Sequence, residues 1–269
     1  MTLWGIFAVG VTALSAATLP NSGEIVRKSV ANTQADWKAA PNYDFTERDV
    51  IVKKGTTVRK KYRVMMIDGS PYNELIGRNG EPLSPAQMSA QEARLRQEIA
   101  KRQHETAAQH RQRVAEYTRE RRQDNALLDQ MMQAMDYRLV GEDTLDGRRC
   151  FVLEGNPKPG YRPISRDTRV LKGMRGKMWI DEQQYQWVKV EAEVFRPVAF
   201  GLFIAKVEPG TKFTLEQAPV RDGLWLPSHF SMEVKARVLV YWSHNSSDDE
   251  TYTHYVPASQ ANVARVEHQ

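Results

Sequence analysis

Residues 174–181 read MRGKMWID and residues 185–195 read YQWVKVEAEVF, and this pair decides the fold. Side chains of a strand alternate between faces. Met174, Met178 and Ile180 therefore share one face of the first segment, and Val188, Val190, Ala192 and Val194 one face of the second. The short polar link between them predicts an antiparallel hairpin. Bringing both apolar sets to one side sets Met178 across from Val188 and Trp179 across from Trp187. The opposite face then carries both tryptophans among Arg175, Lys177, Lys189, Glu191 and Glu193. A sheet with one apolar and one charged face needs a cover or a ligand.

Toward the C-terminus, residues 202–208, 211–218 and 224–235 continue the meander, with turns at Pro209-Gly210 and Asp222-Gly223. A last hairpin is expected to pair 237–243 with 251–256 around Ser246-Ser247-Asp248-Asp249, and 257–269 reads as a disordered tail. Residues 194–207 break the alternation. Val198, Ala199, Phe200, Leu202, Phe203, Ile204 and Ala205 crowd around a turn at 197–201. Either both faces are buried there, or the loop is apolar and exposed, able to enter lipid or guard a cavity.

Toward the N-terminus, strands at 137–142 and 148–153 join through Leu145-Asp146-Gly147, ahead of a Pro- and Gly-rich loop at 156–164. Residues 84–135 form a helical insertion: Ser84 caps it, Pro85 takes the first position, Gln87 stands three residues after the cap, and no other Gly or Pro follows. Unbroken, it would reach on the order of 75 Å, more than such a domain is wide, so it folds back or projects. The break or exposed tip falls in the polar stretch 101–113, either a solvated arm or a coiled hairpin for an envelope protein partner. Strands at 44–54, 57–68 and 72–77 precede it. Val58, Tyr62, Val64 and Met66 alternate there with Arg59, Lys61 and Arg63. An amphipathic helix at 22–38 comes first, capped by Asn21 or Ser22.

Residues 3–19 hold no charge and end near Ser15-Ala16-Ala17, the pattern of a signal peptide (1–17) cut after Ala17; the lack of Lys or Arg before it leaves a short membrane anchor open. Residues 18–256 then make one domain. The surface is mildly basic, net +5 from 38 basic and 33 acidic residues interleaved along the chain. Peripheral contact with anionic headgroups fits this, and export argues against nucleic acid. Cys150 is the only cysteine, so no internal disulfide exists, and Cys150-Phe151-Val152-Leu153 reads as a buried run.

Catalytic patterns fail on geometry. His104-Glu105 and His110 lie six residues apart, about 240° around a helix, so the imidazoles cannot share an ion. His244 and His254 do not face each other in the expected hairpin. Gly173-Met174-Arg175-Gly176-Lys177 enters a strand, whereas a phosphate cradle opens a helix. Glu191 and Glu193 share a strand face of the kind solvent normally wets. No serine elbow, metal cluster or cofactor motif is present, and an enzyme is unsupported.

With Gly147-Arg148-Arg149-Cys150-Phe151-Val152-Leu153 and Met178-Trp179-Ile180-Asp181 before a turn, this order of elements resembles the periplasmic lipoprotein-carrier superfamily of LolA-, LolB- and RseB-like proteins. The resemblance implies an α+β fold, a curved antiparallel half-barrel sheet covered by helices, with an apolar cavity for acyl chains. It implies a non-enzymatic periplasmic or secreted carrier of a lipid or acylated protein, without cofactors. Val188, Val190, Val194, Leu215, Leu226, Phe230 and Met232 would line that cavity, Phe200, Leu202 and Phe203 would stand at its mouth, and Met131, Met132 and Met135 would form an adaptable lid. The insertion is longer than the plain carriers require.

Overall fold

A computed structural model describes residues 20–165, 167–200, 205–221, 223–238 and 242–258. The expected signal, Leu202, Phe203 and the end of the tail lie outside the described residues. The chain runs through α1 (Ser22–Ala39), β1 (Tyr43–Lys53), β2 (Thr56–Ile67), β3 (Ser70–Arg78), β4 (Glu81–Pro82), α2 (Pro85–Gln103) and α3 (Ala107–Ala134). It continues with β5 (Met135–Leu145), β6 (Arg148–Pro157), β7 (Met174–Asp181), β8 (Trp187–Val194), β9 (Val198–Phe200), β10 (Ala205–Val207), β11 (Lys212–Arg221), β12 (Leu224–Val238) and β13 (Trp242–Pro257).

The architecture is α+β, built on one curved, unclosed antiparallel sheet. Its order is β4-β3-β2-β1-β13-β12-β11-β8-β7-β6-β5, with β9 and β10 as a side hairpin on the end of β12. Sequence neighbours pair by hairpins almost throughout, and β13 returns to pair with β1, joining the two meanders. One consequence concerns the insertion. β4 and β5 are opposite edges of the sheet, so the segment linking them has to cross its whole width. Ten strand spacings amount to roughly 48 Å if flat, and the 28 residues of α3 reach about 42 Å.

The insertion is two helices, not one. α2 begins with the expected capping box, Ser84 and Gln87 bonding each other's backbone N–H. Thr106 and Gln109 make a second box that starts α3, placing the break inside the polar stretch. That stretch is not a free arm. Arg102, 7% exposed, donates to the carbonyls of Ile67, Ser70 and Pro71, and Arg113 donates to Asp68 O, Ser70 Oγ and Glu105. Both arginines bolt the helix junction onto the β2–β3 turn.

The face holding Phe151, Leu153, Met174, Met178, Ile180 and Val190 is the inner one. Ile25 of α1 and Met131 and Ala134 of α3 pack onto it as the main core. α2 lies on the outer face, where Leu95 and Ile99 cover Met65 and Ile67. This is why β2 stops alternating at Val64-Met65-Met66-Ile67: each face has its own cover. Tyr117 of α3 reaches Met66 on the inner side.

Two registers differ from expectation. Met178 pairs with Val190, and a bulge after Trp179 sets Ile180 opposite Trp187. Asp181 explains it. Its carboxylate accepts from the N–H groups of Gln183 and Gln184, and Tyr185 takes φ 56°, so the second strand starts two residues late. Trp187 therefore enters the inner core and Val188 turns outward against Cys150 and Trp225. The last hairpin also differs. Ser246-Ser247-Asp248-Asp249 is no turn; it lies mid-strand in β13, held by β12 on one side and β1 on the other, while β12 runs on to pair Val238 with Trp242. Ladder bonds on both sides override the turn composition.

Candidate functional site

The residues expected to line a single cavity fall into separate environments. Val190, Val194, Met131 and Met135 are sealed in the main core, with Leu215 and Met132 packed partly buried against it. Leu226 belongs to a cluster with Tyr43 and Leu224, and Val188 is on the outer face. Phe200 pairs by its backbone with Ala205. Phe230 and Met232 are half-exposed on the inner face.

Beneath Met131 and Met135 the free space is about 20 Å³, bounded by Tyr137, Gly155, Met174, Met178 and Val190. That admits about one water. An acyl chain has no room there with the helices in this position. A larger groove of about 520 Å³ lies across β6, β7, β8 and β11, and Arg175, Lys177, Glu191, Glu193 and Lys212 give it a mixed-charge lining.

The space for a ligand is the part of the inner face that the helices leave open. Register carries the inner face without interruption from Val190 to Leu215, to Phe230, to Glu250 and to Asp49, and in the next row from Phe213 to Met232, Asp248 and Ile51. α1 occupies the end of the sheet where β1 and β12 begin: Asp36 Oδ1 accepts from Trp225 N, and Asn32 donates to Gln184 O. At the other end Phe230, Met232, Asp248, Glu250, Asp49 and Ile51 are all half-exposed. An apolar strip on β11 and β12 thus lies beside a carboxylate strip on β13 and β1. Sequence reasoning found the first strip and missed the second, because it placed Asp248 in a turn.

The carboxylates are crowded. Burial, a hydrogen bond with Asp49 and the nearby Glu250 charge push Glu47 up to about 8. Burial also raises Glu250, although Tyr252 donates its hydroxyl hydrogen to that carboxylate. Asp49 Oδ1 is shielded from solvent and has no hydrogen-bond partner. Phe45 packs against the rings of Tyr252 and Tyr255 at the edge of this group. The outer face shows the opposite habit, with cross-strand pairs such as Arg175–Glu193, Lys189–Glu216 and His229–Asp249.

A second polar patch lies under α1. Ser29, Asp36, Gln186 and Trp187 are each at most 3% exposed, and Ser29 Oγ, Thr33 Oγ1, Asp36 Oδ2, Gln186 Oε1 and Trp187 Nε1 have no partner. Burial raises Asp36 to about 6 against the hydrogen bonds from Trp225 and Gln186. The remaining candidates stay structural. His104 bonds Ala100 O and His110 approaches Asp68, so the two serve different neighbours. Burial pushes the Cys150 thiol up to about 11. Among the described residues no group of side chains is arranged to hold a metal ion, and no helix is long and apolar enough to cross a membrane.

No family model matches this chain, and no curated relative matches it. It is similar in fold to solved structures. One is a LolA superfamily protein from Nitrosomonas europaea, 9% identical, covering 90% of this chain and 96% of that one with a TM-score of 0.34. Another is a DUF1329 family protein from Desulfovibrio piger, 12% identical, covering 91% and 97%, TM-score 0.34. A third is an outer membrane lipoprotein-sorting protein domain from Vibrio parahaemolyticus, 10% identical, covering 89% and 97%, TM-score 0.35.

Proposed function

We propose that this chain is an exported, non-enzymatic binding or carrier protein for a lipid or acylated ligand of the cell envelope, held on the inner face of its sheet. The observation that carries this reading is the half-finished roof. The inner face carries an apolar floor that α1 and α3 seal where it lies on β6 to β8 and that is left half-exposed at Phe230 and Met232 on β12. Aliphatic chains bind such a floor through burial, at about 25 cal/mol per Å² and with few directional bonds.

The test is a fluorescent long-chain acyl probe titrated into the protein lacking residues 1–17, compared with Phe230→Ser. Losing most of one buried phenylalanine contact is expected to weaken binding about tenfold or more. The unfolding midpoint in urea should barely move, because Phe230 is half-exposed. Unchanged affinity, or a protein that binds no acyl probe at all, would overturn the reading.

A further inference from the structure

The proposed function leaves the ligand's head group unspecified, and the strip beside the apolar floor supplies it. Four inner-face carboxylates, Glu47, Asp49, Asp248 and Glu250, sit on two adjacent strands. None forms an ion pair among the described residues, whereas Glu193, Glu191 and Glu216 on the outer face each pair with a lysine or arginine. Lys60 is the register partner of Asp49 on β2 and still leaves Asp49 Oδ1 buried and unpartnered. Half-buried negative charge without a counter-charge is costly, and an incoming cation relieves it.

We propose that this open sector is a docking surface for an amphiphile with an aliphatic chain and a positively charged amine head. The chain lies on Leu215, Phe230 and Met232, and the amine sits among Asp49, Asp248 and Glu250. Register sets the geometry: Phe230 is directly opposite Glu250, and Met232 directly opposite Asp248. A chain on β12 therefore delivers its head one strand spacing away, roughly 5 Å, onto β13. Charge complementarity selects the occupant. A phosphate or sulfate head would add negative charge to a surface already crowded with it. A cationic peptide without an acyl chain would leave the apolar strip uncovered.

The inference rests on the lipid reading, and the experiment separates the two. Dodecylamine, dodecyl sulfate and dodecyl maltoside, each below its micelle concentration, are titrated calorimetrically into the protein at about neutral pH and low salt, alongside tetralysine. The amine is expected to bind at least about tenfold tighter than the sulfate, with the maltoside between them, and its advantage should shrink as salt rises. Dodecylamine binding should also release protons, seen as a dependence of the heat on the buffer's ionisation enthalpy, because the cation beside Asp49 and Glu250 displaces the proton that burial and these neighbours hold on Glu47. Asp49→Asn with Glu250→Gln should abolish the preference and keep maltoside binding, which also proves the variant folded. Sulfate binding as tightly as the amine, or a preference surviving in the double variant, would overturn the amine head while leaving the lipid reading standing. Tetralysine matching dodecylamine would overturn the lipid occupant in favour of a basic peptide. Binding of none of the dodecyl probes would overturn both readings.

Discussion

At Gly176 an added methyl group would stand 2.3 Å from the carbonyl oxygen of Glu191 and 3.0 Å from the Ala192 side chain. The obstacle is backbone, so no rotamer relieves it. Gly155, Gly176 and Ala192 are register neighbours across β6, β7 and β8, and the Tyr137 ring lies over Gly155. These small residues let the neighbouring backbone and the Tyr137 ring approach closely. Gly176→Ala is expected to cost about 3 kcal/mol, the upper end for overpacking, read as a lower urea midpoint with an unchanged slope. A cost below about 0.5 kcal/mol would show that the backbone gives way to the added methyl group. The glycine was visible in the sequence, but its purpose was not, because a lone glycine in a strand reads equally as a bulge, a bend or an entry turn. Val188 and Trp187 failed for a related reason. Parity assigns faces correctly only while no residue is inserted, and a bulge that exchanges two apolar residues leaves no trace in the alternation.

Elements were more legible than residues. The start of α2 and the cap of α1 follow from side chains within a few positions: Asn21 accepts from Glu24 N at 2.8 Å, and Ser84 and Gln87 close their box. The destination of the polar stretch was illegible, because a basic helix tip looks the same whether it faces water or a set of carbonyls. Arg102 settles it by donating to three carbonyl oxygens of the β2–β3 turn while its Nε holds Glu98 at 2.8 Å. Arg102→Met keeps the aliphatic stem and strands those acceptors. It is expected to destabilise the fold by about 3 kcal/mol. Arg102→Lys should rescue less than half of that, since one ammonium group cannot span a guanidinium's fork. Full rescue by lysine would mean that charge alone, without geometry, holds the junction. Amide exchange in residues 67–70 is the local readout, and it should accelerate in both variants.

For the whole molecule, the strand order explains the long insertion: a sheet whose last meander strand returns to pair with the first leaves β4 and β5 at opposite edges, and only a long helix joins them. The α+β class and the hairpin order were readable from strand periods and turns, whereas that return was not, because β13 carries a turn-like Ser-Ser-Asp-Asp in its middle. Buried carboxyls on the inner face and under α1 set the pH response. Burial, Asp49 and Glu250 raise Glu47 from 4.5 to about 8, burial raises Asp36 from 3.8 to about 6, and burial raises Glu250. Between about pH 4 and pH 8 the folded state therefore holds protons that the unfolded chain releases, so these groups make stability fall as pH rises through that window. Other carboxyls act the opposite way. A hydrogen bond from Lys28 lowers Glu24, one from Arg113 lowers Glu105, and one from Trp179 lowers Asp143, so their contribution is present above the ordinary carboxylate range and disappears as pH falls below it. The two sets together place the stability maximum near about pH 5. The melting temperature should accordingly be several degrees higher at about pH 5 than at about pH 8, and Glu47→Gln combined with Asp36→Asn should raise the value at the higher pH and flatten the slope. A melting temperature that climbs steadily from pH 5 to pH 8 in the unmodified protein would mean that the inner-face carboxyls are ionised and compensated in the folded state.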